Sequence, residues 1–388
     1  DVYEESLLLH EKLGGKLKVV PRMRLKSKRD LALLYTPGVA EPCRKIAARP
    51  DDVFKYTIKS NCVAVVSDGS AVLGLGNIGA AASIPVMEGK ALLFKEFAGI
   101  DAFPICVDCH EPEEIIRVVR AIAPVFGGIN LEDISAPKCF AVEEQLQDLG
   151  IPVMHDDQHG TAIVVAAGVL NALKVVGKNL GDATVAISGA GAAGTAVAKM
   201  FLTKKFRVKD VLVTDSKGIV SRGRSDLNDC KKQLAAVTNK TNRSGGLQDA
   251  MRGADVFIGV SAPGIVTREM VGGMARDAVV FAMANPVPEV MPDEAAAAGA
   301  RVVGTGRSDF PNQVNNVLAF PGVFRGALDA RAPRISEGMK QAAAIALAGM
   351  VKQPSEERVL PDALDKRAAR KVASAVRRAA LKEFGAKA

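Results

Sequence analysis

The sequence contains no tryptophan and only 4% aromatic residues. It therefore offers few side chains for stacking on nucleic-acid bases, although a net charge of +8 could attract such a partner. The densest basic run, 366–378, carries apolar residues at every fourth position, which is typical of an amphipathic helix with a solvated basic face. We expect no nucleic-acid partner. The positive charge could instead attract an anionic metabolite, or it could simply reflect a basic protein surface.

Long apolar segments are also absent. No run has the ~20 residues that a membrane-spanning helix needs, and the N-terminus has no signal-peptide pattern. The six cysteines include one CxxC pair, Cys106 and Cys109, without the second pair that a zinc site of this kind requires. We therefore expect a cytoplasmic protein with reduced cysteines and no membrane partner.

What is present is an alternation of strands and helices. With 388 residues the chain is long enough for two domains. After a basic, helical stretch of about 55 residues, β-branched strands alternate with helices to about residue 303, and a second α/β unit begins at Ala183. This order predicts an α/β fold with mainly parallel sheets. We also predict a β-hairpin of strands 63–66 and 71–75 around the turn 67–70.

Two acidic pairs follow apolar strands. Glu132 and Asp133 come after the run 128–131, while Asp156 and Asp157 come after 151–154. Because the carboxyl ends of parallel strands meet at one edge of a sheet, these carboxylates should converge and need a cation between them. Oxygen ligands suit Mg²⁺ or Mn²⁺. The alternative, helix capping by Asp156 or Asp157, is weakened by the presence of two such pairs.

A glycine cluster at 189–194 has the spacing of a dinucleotide-binding turn. It lies between the strand 184–187 and a helix, and the next strand ends at Asp215. In such turns Gly189 allows the tight bend, Gly191 lets the backbone approach a pyrophosphate, and Gly194 permits close helix packing. The alternative is a glycine-rich turn that binds no nucleotide.

Further residues near this turn bear on the choice of cofactor. Ala192 and Ala193 lie at the predicted helix N-terminus, whose amide groups would face the phosphates. Asp215 would bind the ribose hydroxyls, whereas Lys217 can favour a 2′-phosphate, so NAD and NADP both remain open. The cluster at 74–79 has similar spacing, but Pro85 follows where a helix should begin, so it is a weak signal.

A hydride acceptor beside a carboxylate-bound metal suits oxidation of a 2-hydroxy acid followed by loss of CO₂, which also needs a base and an acid. Lys90 is the candidate base because apolar neighbours can depress its pKa, and Tyr35 is the candidate acid. The alternatives are an exposed lysine in a turn and a core tyrosine. Asn285, Asn315 and Asn316 can bind a substrate carboxylate or cap turns.

Taken together, these residues resemble the malic enzymes, more narrowly the short prokaryotic type. The resemblance covers nearly the whole chain in order and rests on seven segments: 35–40, 67–76, 89–90, 128–133, 155–161, 281–286 and 315–322.

The resemblance implies oxidative decarboxylation of L-malate to pyruvate and CO₂, with NAD⁺ or NADP⁺ and Mg²⁺ or Mn²⁺. Lys90 would be the general base and Tyr35 the acid that protonates enolpyruvate. The remaining roles are metal binding by Glu132, Asp133 and Asp157 with Asp156 nearby, and substrate binding by Lys90, Asn285 and one of Asn315 or Asn316.

The resemblance also implies a domain arrangement. It predicts a substrate- and metal-binding domain at 1–155, a Rossmann-type domain that binds NAD(P) at 156–315, and C-terminal helices at 316–388 that return to the N-terminal half. Gly74–Gly79 then becomes a turn on the substrate side. A homodimer or higher homo-oligomer is expected.

The chain departs from the family pattern at two positions. Larger malic enzymes carry an arginine for the malate carboxylate where this chain has Ala71, so the asparagines or a partner subunit would have to bind that group. His159 lies where many relatives have glutamine and, with His155, suggests a zinc pair; a hydrogen-bonding role is the interpretation we favour.

Two rival functions use the same residues. A malolactic or oxaloacetate-decarboxylating enzyme on this scaffold would keep the cofactor without net release of reduced nicotinamide. A nucleotide-sensing protein without catalysis would keep the glycine turn, but it would have no need of Lys90, Tyr35 and three metal carboxylates.

Overall fold

A computed structural model describes residues 1–72 and 74–385 of the chain. Leu73, which falls in the predicted strand 71–75, and residues 386–388, which end the predicted C-terminal segment, lie outside the described residues. The helices are α1 Val2–Leu13, α2 Lys28–Leu34, α3 Ala40–Ala48, α4 Val53–Tyr56, α5 Gly79–Ala98, α6 Pro112–Ile122, α7 Lys138–Gln145, α8 Asp156–Val175, α9 Ala192–Leu202, α10 Asp229–Val237, α11 Leu247–Met251, α12 Arg268–Gly272, α13 Pro292–Ala297, α14 Phe320–Asp329, α15 Glu337–Ala348 and α16 Arg367–Phe384. The strands are β1 Cys62–Ser67, β2 Asp101–Cys106, β3 Gly128–Leu131, β4 Val153–His155, β5 Thr184–Ser188, β6 Asp210–Asp215, β7 Gly218–Ile219, β8 Val256–Gly259, β9 Ala278–Ala282 and β10 Ala300–Thr305.

The strands form two separate sheets. The first has the order β2-β1-β3-β4, and each of its strand pairs is parallel. The second has the order β10-β9-β8-β5-β6-β7, and only β7 runs antiparallel to its neighbour. Strands buried on both faces read as continuous apolar runs, which is why 62–66 and 278–282 contain only apolar residues. The predicted α/β fold class is confirmed.

Helix α8 joins the two sheets. It begins directly after β4 and runs for 20 residues, and most of its side chains are buried in the core that packs against both sheets. Gly168 allows α8 to approach β9 closely, because a Cβ at this position would lie 2.9 Å from the ring of Phe281. The first turn of α8 is thereby fixed at the carboxyl edge of the first sheet.

The chain after residue 316 returns to the N-terminal half. Phe320 and Phe324 of α14 contact Phe94 of α5, with ring centroids 4.8 and 5.4 Å apart in edge-to-face geometry. Gly322 and Gly326 let α14 lie close against α16, since a Cβ at either position would lie within 2.6 Å of a carbonyl oxygen of that helix. These contacts bring α14 over the same helix that carries Lys90.

Two local predictions are wrong. No second hairpin strand follows β1 among the described residues; Val72 only bridges to Gly76. The reason is that β1 already has parallel partners on both sides, so no edge is left for an antiparallel strand. Pro85 also does not delay a helix, because α5 begins at Gly79 and contains this proline.

The N-terminal arm, residues 1–49, differs from the rest of the molecule. Helices α1, α2 and α3 bury none of their residues. Large apolar side chains of the arm are exposed instead, among them Leu7, Leu8, Val19, Leu33 and Tyr35. Of the helices in the described part of the chain, none is both long and apolar enough to cross a membrane.

Candidate active site

The carboxyl edge of the first sheet carries a buried lysine between two carboxylates. Lys90 extends from α5, and its ammonium lies 2.7 Å from Asp156 Oδ2 and 2.8 Å from Glu132 Oε1. The ring of Phe320 covers it at 4.2 Å from the centroid. Only 11% of the Lys90 side chain is exposed, so the alternative of an exposed lysine in a turn is wrong.

The charge state of Lys90 also differs from expectation. Burial lowers the pKa of Lys90, but attraction to Asp156 and Glu132 outweighs burial and raises that pKa above its ordinary value. The prediction that apolar neighbours depress this pKa is therefore wrong for the geometry seen. The sequence did not reveal that both carboxylates face the lysine, because they lie 42 and 66 positions away along the chain.

Glu132, Asp133 and Asp157 converge as predicted. One carboxylate oxygen of each lies within 4.8 Å of the others. Glu132 and Asp133 follow β3, and Asp157 lies in the first turn of α8 with its side chain 32% exposed. The backbone of Asp133 adopts a φ of 52°, and its amide donates to Asp157 Oδ2 at 2.8 Å. A left-handed φ is uncommon outside glycine and often marks a functional site.

The electrostatics of this carboxylate cluster favour a bound cation. Burial raises the pKa of Glu132 well above its ordinary value. Burial and the neighbouring Asp157 raise the pKa of Asp133 to about 8. In the described part of the chain, Asp133 Oδ2 is buried without a hydrogen-bond partner. An oxygen-only set with surplus negative charge fits a hard divalent ion such as Mg²⁺ or Mn²⁺.

Of the three asparagines, Asn316 is the one that contacts the Lys90 cluster. Its amide nitrogen donates to Asp156 Oδ2 at 3.3 Å, and its oxygen accepts from Thr161 at 3.2 Å. Asn315 instead caps its own turn, since its oxygen accepts from the amide of Val317. Asn285 is exposed, and its backbone carbonyl lies against the turn at Gly74. A Cβ added at Gly74 would lie 2.6 Å from the carbonyl oxygen of Asn285.

In a single chain, Tyr35 is not part of the cluster that Lys90 forms with Glu132 and Asp156. Tyr35 is 66% exposed at the end of α2, so the alternative of a core tyrosine is wrong. The hydrogen bonds of the described residues include none between the Tyr35 hydroxyl and Lys90 or the metal carboxylates.

The second sheet carries a cavity of about 880 Å³ at its carboxyl edge, lined in part by Gly189, Gly191, Asp215 and Lys217. Gly189 adopts a φ of 113°, and a Cβ there would lie 2.6 Å from the Val260 carbonyl oxygen. Gly191 faces open space, because a Cβ would meet nothing within 4 Å. Ala192, Ala193 and Gly194 form the first turn of α9. This cradle fits the pyrophosphate of a dinucleotide at a helix N-terminus.

Gly194 permits the close helix packing that was predicted for it. A Cβ there would lie 1.8 Å from the carbonyl oxygen of Gly189, which follows β5, and 3.3 Å from the side chain of Val260, which follows β8.

Comparison with known proteins matches both halves of the chain. Residues 14–147 match the malic enzyme N-terminal domain, and residues 158–381 match the malic enzyme NAD binding domain. The chain belongs to the malic enzyme family. The family's second domain binds a nicotinamide dinucleotide, in agreement with the glycine cradle of the second sheet.

Individual malic enzymes resemble the chain over nearly its full length. The bifunctional malic/malolactic enzyme of Bacillus subtilis is 54% identical over 382 residues, which is 97% of this chain and 93% of that protein. The NADP-dependent malic enzyme of Halomonas elongata is 51% identical, covering 94% and 86%. The crystal structure of the NAD-dependent malic enzyme from Thermotoga maritima gives a TM-score of 0.93 at 48% identity, covering 96% and 98%.

Some residues beside the site of this family member were missed by sequence reasoning. Asn130 donates to Glu132 Oε2 at 2.8 Å, and it could have been found because it points to the same sheet edge from the same segment. Glu143 accepts from the backbone of His155 at 3.0 Å and from the side chain of Gln158 at 3.2 Å. No motif marked Glu143, which lies in the middle of α7.

His159 bonds to Glu143, with Nε2 and Oε2 2.9 Å apart. The hydrogen-bonding interpretation therefore holds for His159. Among the described residues, His155 and His159 are not part of a group placed to share a metal.

Proposed function

We propose that the protein catalyses oxidative decarboxylation of L-malate to pyruvate and CO₂, with reduction of NAD⁺ or NADP⁺ and dependence on a divalent metal. The observation that carries this proposal is the contiguity of Lys90, Asp156 and the three carboxylates at one sheet edge. Family membership and the glycine cradle of the second sheet support it.

In this proposal Glu132, Asp133 and Asp157 hold Mg²⁺ or Mn²⁺. When bound, the metal polarises the hydroxy acid and stabilises the enolate that loss of CO₂ leaves. Asn316, which donates to Asp156, and Asn285, whose carbonyl lies against the turn at Gly74, orient the substrate carboxylate in this proposal. Asn315 caps a turn, so we assign the substrate-binding role to Asn316 of that pair.

Lys90 accepts the proton of the malate hydroxyl in this mechanism. It must first lose a proton of its own, and Asp156 Oδ2 lies 2.7 Å from Nζ and is placed to receive it. Burial raises the pKa of Asp156, which suits a carboxylate that takes up a proton. Phe320 excludes water from one side of the ammonium.

We also propose that the chain forms a homodimer. In the arm, Leu7, Leu8 and Val19 are each at least 60% exposed. Apolar side chains grouped on a surface in this way are typical of a protein–protein interface. Packing of the arm against a second subunit would bury these side chains and move Tyr35 from solvent into an active site, where it would protonate enolpyruvate. Sedimentation at micromolar concentration should give a dimer that Leu8→Lys dissociates; a monomer with full activity would refute this part.

The reaction is tested by absorbance at the reduced-nicotinamide band with L-malate and Mn²⁺, comparing NAD⁺ with NADP⁺, each with and without chelator. Metal-dependent reduction accompanied by pyruvate is expected. A second candidate is malolactic conversion, which the name of the Bacillus subtilis relative favours. Lactate without net reduction would support this candidate instead.

A further inference from the structure

The first turn of α8 is bonded to a side chain of another helix. Glu143 lies in α7, and only 8% of this residue is exposed. Its Oε1 accepts from the backbone N–H of His155 at 3.0 Å. Its Oε2 accepts from Gln158 Nε2 at 3.2 Å and lies 2.9 Å from His159 Nε2. One buried carboxylate therefore contacts three residues at the start of α8.

Helix α8 depends on this partner because its own N-cap side chain provides none. His155 is the N-cap residue, and its side chain makes no capping hydrogen bond. In the described part of the chain, both ring nitrogens of His155 are buried without a hydrogen-bond partner. The first backbone N–H groups of a helix have no partner within the helix. Glu143 binds one of these groups and places its negative charge at the end of the helix where the dipole is positive.

The contacts of Glu143 lie on both sides of the acidic pair 156–157. His155 comes directly before this pair, and the other two contact residues come directly after it. Asp157 belongs to the carboxylate group that is placed to hold a metal. Asp156 Oδ2 lies 2.7 Å from the ammonium of Lys90. A shift of this turn would therefore move both carboxylates at once.

The C-terminal half of the chain holds the same group of residues. Lys340 of α15 is 7% exposed, and its ammonium lies 3.3 Å from His159 Nε2 and 2.7 Å from Glu337 Oε1. Burial raises the pKa of Glu143, but attraction to His159 and Lys340 outweighs burial and lowers this pKa, so the carboxylate is ionised at neutral pH and only accepts hydrogen bonds. A series of polar contacts thus joins α7, α8 and α15 at this turn.

We propose that Glu143 is a positioning residue for the metal site, which fixes Asp156 and Asp157 through its hydrogen bonds to the first turn of α8. Loss of a partner that orients a metal ligand commonly lowers metal affinity by about 10–100-fold. This inference rests on the proposed function, because that proposal assigns the metal to Glu132, Asp133 and Asp157.

Two substitutions separate the length of the Glu143 side chain from its charge. Glu143→Asp keeps the charge but is shorter by one methylene group, so its carboxylate should no longer reach the N–H of His155. Glu143→Gln keeps the length and one oxygen for that N–H, and its amide can donate to Gln158 and His159 if these present an acceptor. Glu144→Asp, at the exposed neighbouring position, is the matched control.

The measurement is calorimetric titration of the metal-free full chain with Mn²⁺, together with thermal denaturation. Glu143→Asp should weaken Mn²⁺ binding by about tenfold. Glu143→Gln and Glu144→Asp should leave it within about threefold, below the range that loss of such a partner produces. Gln158→Ala removes one of the contacts from the side of α8, so it tests the same role if Glu143→Asp does not fold, and it should weaken Mn²⁺ binding in the same direction.

Unchanged Mn²⁺ affinity in Glu143→Asp would overturn the proposal even if the melting temperature fell, because a merely structural role lowers stability alone. Retention of affinity in Glu143→Asp with loss in Glu143→Gln would also overturn it, since the charge and not the hydrogen bonds would then be required. Absence of Mn²⁺ binding by the unchanged chain would overturn the metal site and this inference with it. Weaker binding in Glu143→Asp, in a protein that does not oxidise malate, would support the positioning role and count only against the proposed reaction.

Discussion

The two sheet edges of this molecule present opposite kinds of surface to a ligand. At the first edge side-chain charge dominates, with Lys90 buried beside the converging carboxylates of Glu132, Asp133 and Asp157. At the second edge the backbone of a glycine turn forms the cradle, and Asp215 is neutralised by its neighbours Arg224 and Lys231. We therefore expect the first edge to depend on a counter-ion and the second on an unobstructed main chain.

This difference predicts different responses to substitution. Removal of one charge at the first edge leaves other charges buried and uncompensated, which is costly. Addition of one methyl group at the second edge either strains the turn or fills the space of the ligand. The following variants test whether the two edges behave in these separate ways.

The largest effect is expected for Lys90→Ala. Loss of the base should lower kcat/KM for malate by about 10³-fold or more, while nucleotide affinity at the second edge stays nearly intact. Initial rates and nucleotide titration measure the two quantities. Lys95→Ala is the matched control on the same helix, since Lys95 pairs with Asp101 in partly exposed surroundings. Loss of nucleotide binding in Lys90→Ala would indicate a structural role and remove the contrast between the edges.

Tyr35→Phe should impair protonation of enolpyruvate more than hydride transfer. We expect about 10²-fold slower pyruvate formation, the usual contribution of a general acid, because the phenyl ring keeps the shape but cannot donate a proton. Pyruvate release and nicotinamide absorbance followed in the same reaction separate the two steps. Tyr3→Phe, on the exposed first helix, provides the control. Unchanged pyruvate formation would exclude Tyr35 as the acid.

Asp157→Asn should weaken the apparent affinity for Mn²⁺ by roughly 100-fold, because loss of a direct ligand should cost at least what loss of an outer partner does. A metal titration of malate oxidation gives this value. Asp148→Asn, at an exposed ion pair with Arg120, should leave the titration unchanged. If Asp157→Asn also left it unchanged, Asp157 would be a helix-capping residue.

At the second edge, Gly191→Ala and Gly194→Ala should have different effects on thermal stability and on nucleotide affinity. The added methyl group at Gly191 meets open space, so the melting temperature should hold while nucleotide binding weakens about tenfold, or about 1.4 kcal/mol. At Gly194 the Cβ would lie 1.8 Å from the Gly189 carbonyl oxygen, so overpacking should destabilise the fold by about 1–3 kcal/mol. Thermal denaturation and titration measure the pair, and equal stability loss in both would contradict the open cradle.

The smallest effect is expected beside the first edge, for the variant His159→Gln. Burial would raise the pKa of Glu143, but the His159 ring and Lys340 lower it to about 2. A lowered carboxyl pKa stabilises the fold above the unfolded-state pKa, and this contribution is lost as the pH falls towards 2. His159→Ala should cost about 1–3 kcal/mol, most of it above pH 5. His159→Gln should cost under about 1 kcal/mol by keeping a donor, and urea unfolding at several pH values measures both.

The convergence of Glu132, Asp133 and Asp157 and the position of the glycine turn could be predicted from the sequence because each motif directly follows a strand. In a parallel sheet that position fixes the edge at which a residue lies, whatever the rest of the fold does. Glu132 and Asp157 are 25 positions apart, yet adjacent strands bring them together. Most strands could likewise be predicted from short apolar runs that alternate with helical segments, because strands of a buried sheet consist mainly of apolar residues.

The hydrogen-bond partners of Lys90 and Asp215 could not be predicted in the same way. Lys90 contacts Glu132, which follows β3, and Asp156 of α8 because of the way α5 packs. Asp215 contacts Arg224 of a loop and Lys231 of α10. Such contacts depend on side-chain directions in three dimensions, which no local pattern records. For the same reason the hairpin prediction failed, because the second parallel neighbour of β1 is remote in sequence.

One consequence of the course of α8 concerns hybrid proteins made from two relatives. A crossover near residue 150 would take Glu132 and Asp133 from one parent and Asp157 from the other, since α8 begins at Asp156 and extends into the core of the second half. Such a chimera would recover metal binding only if the two parental halves dock in register. Titration of a set of such chimeras with Mn²⁺ would therefore measure how well halves from different parents dock.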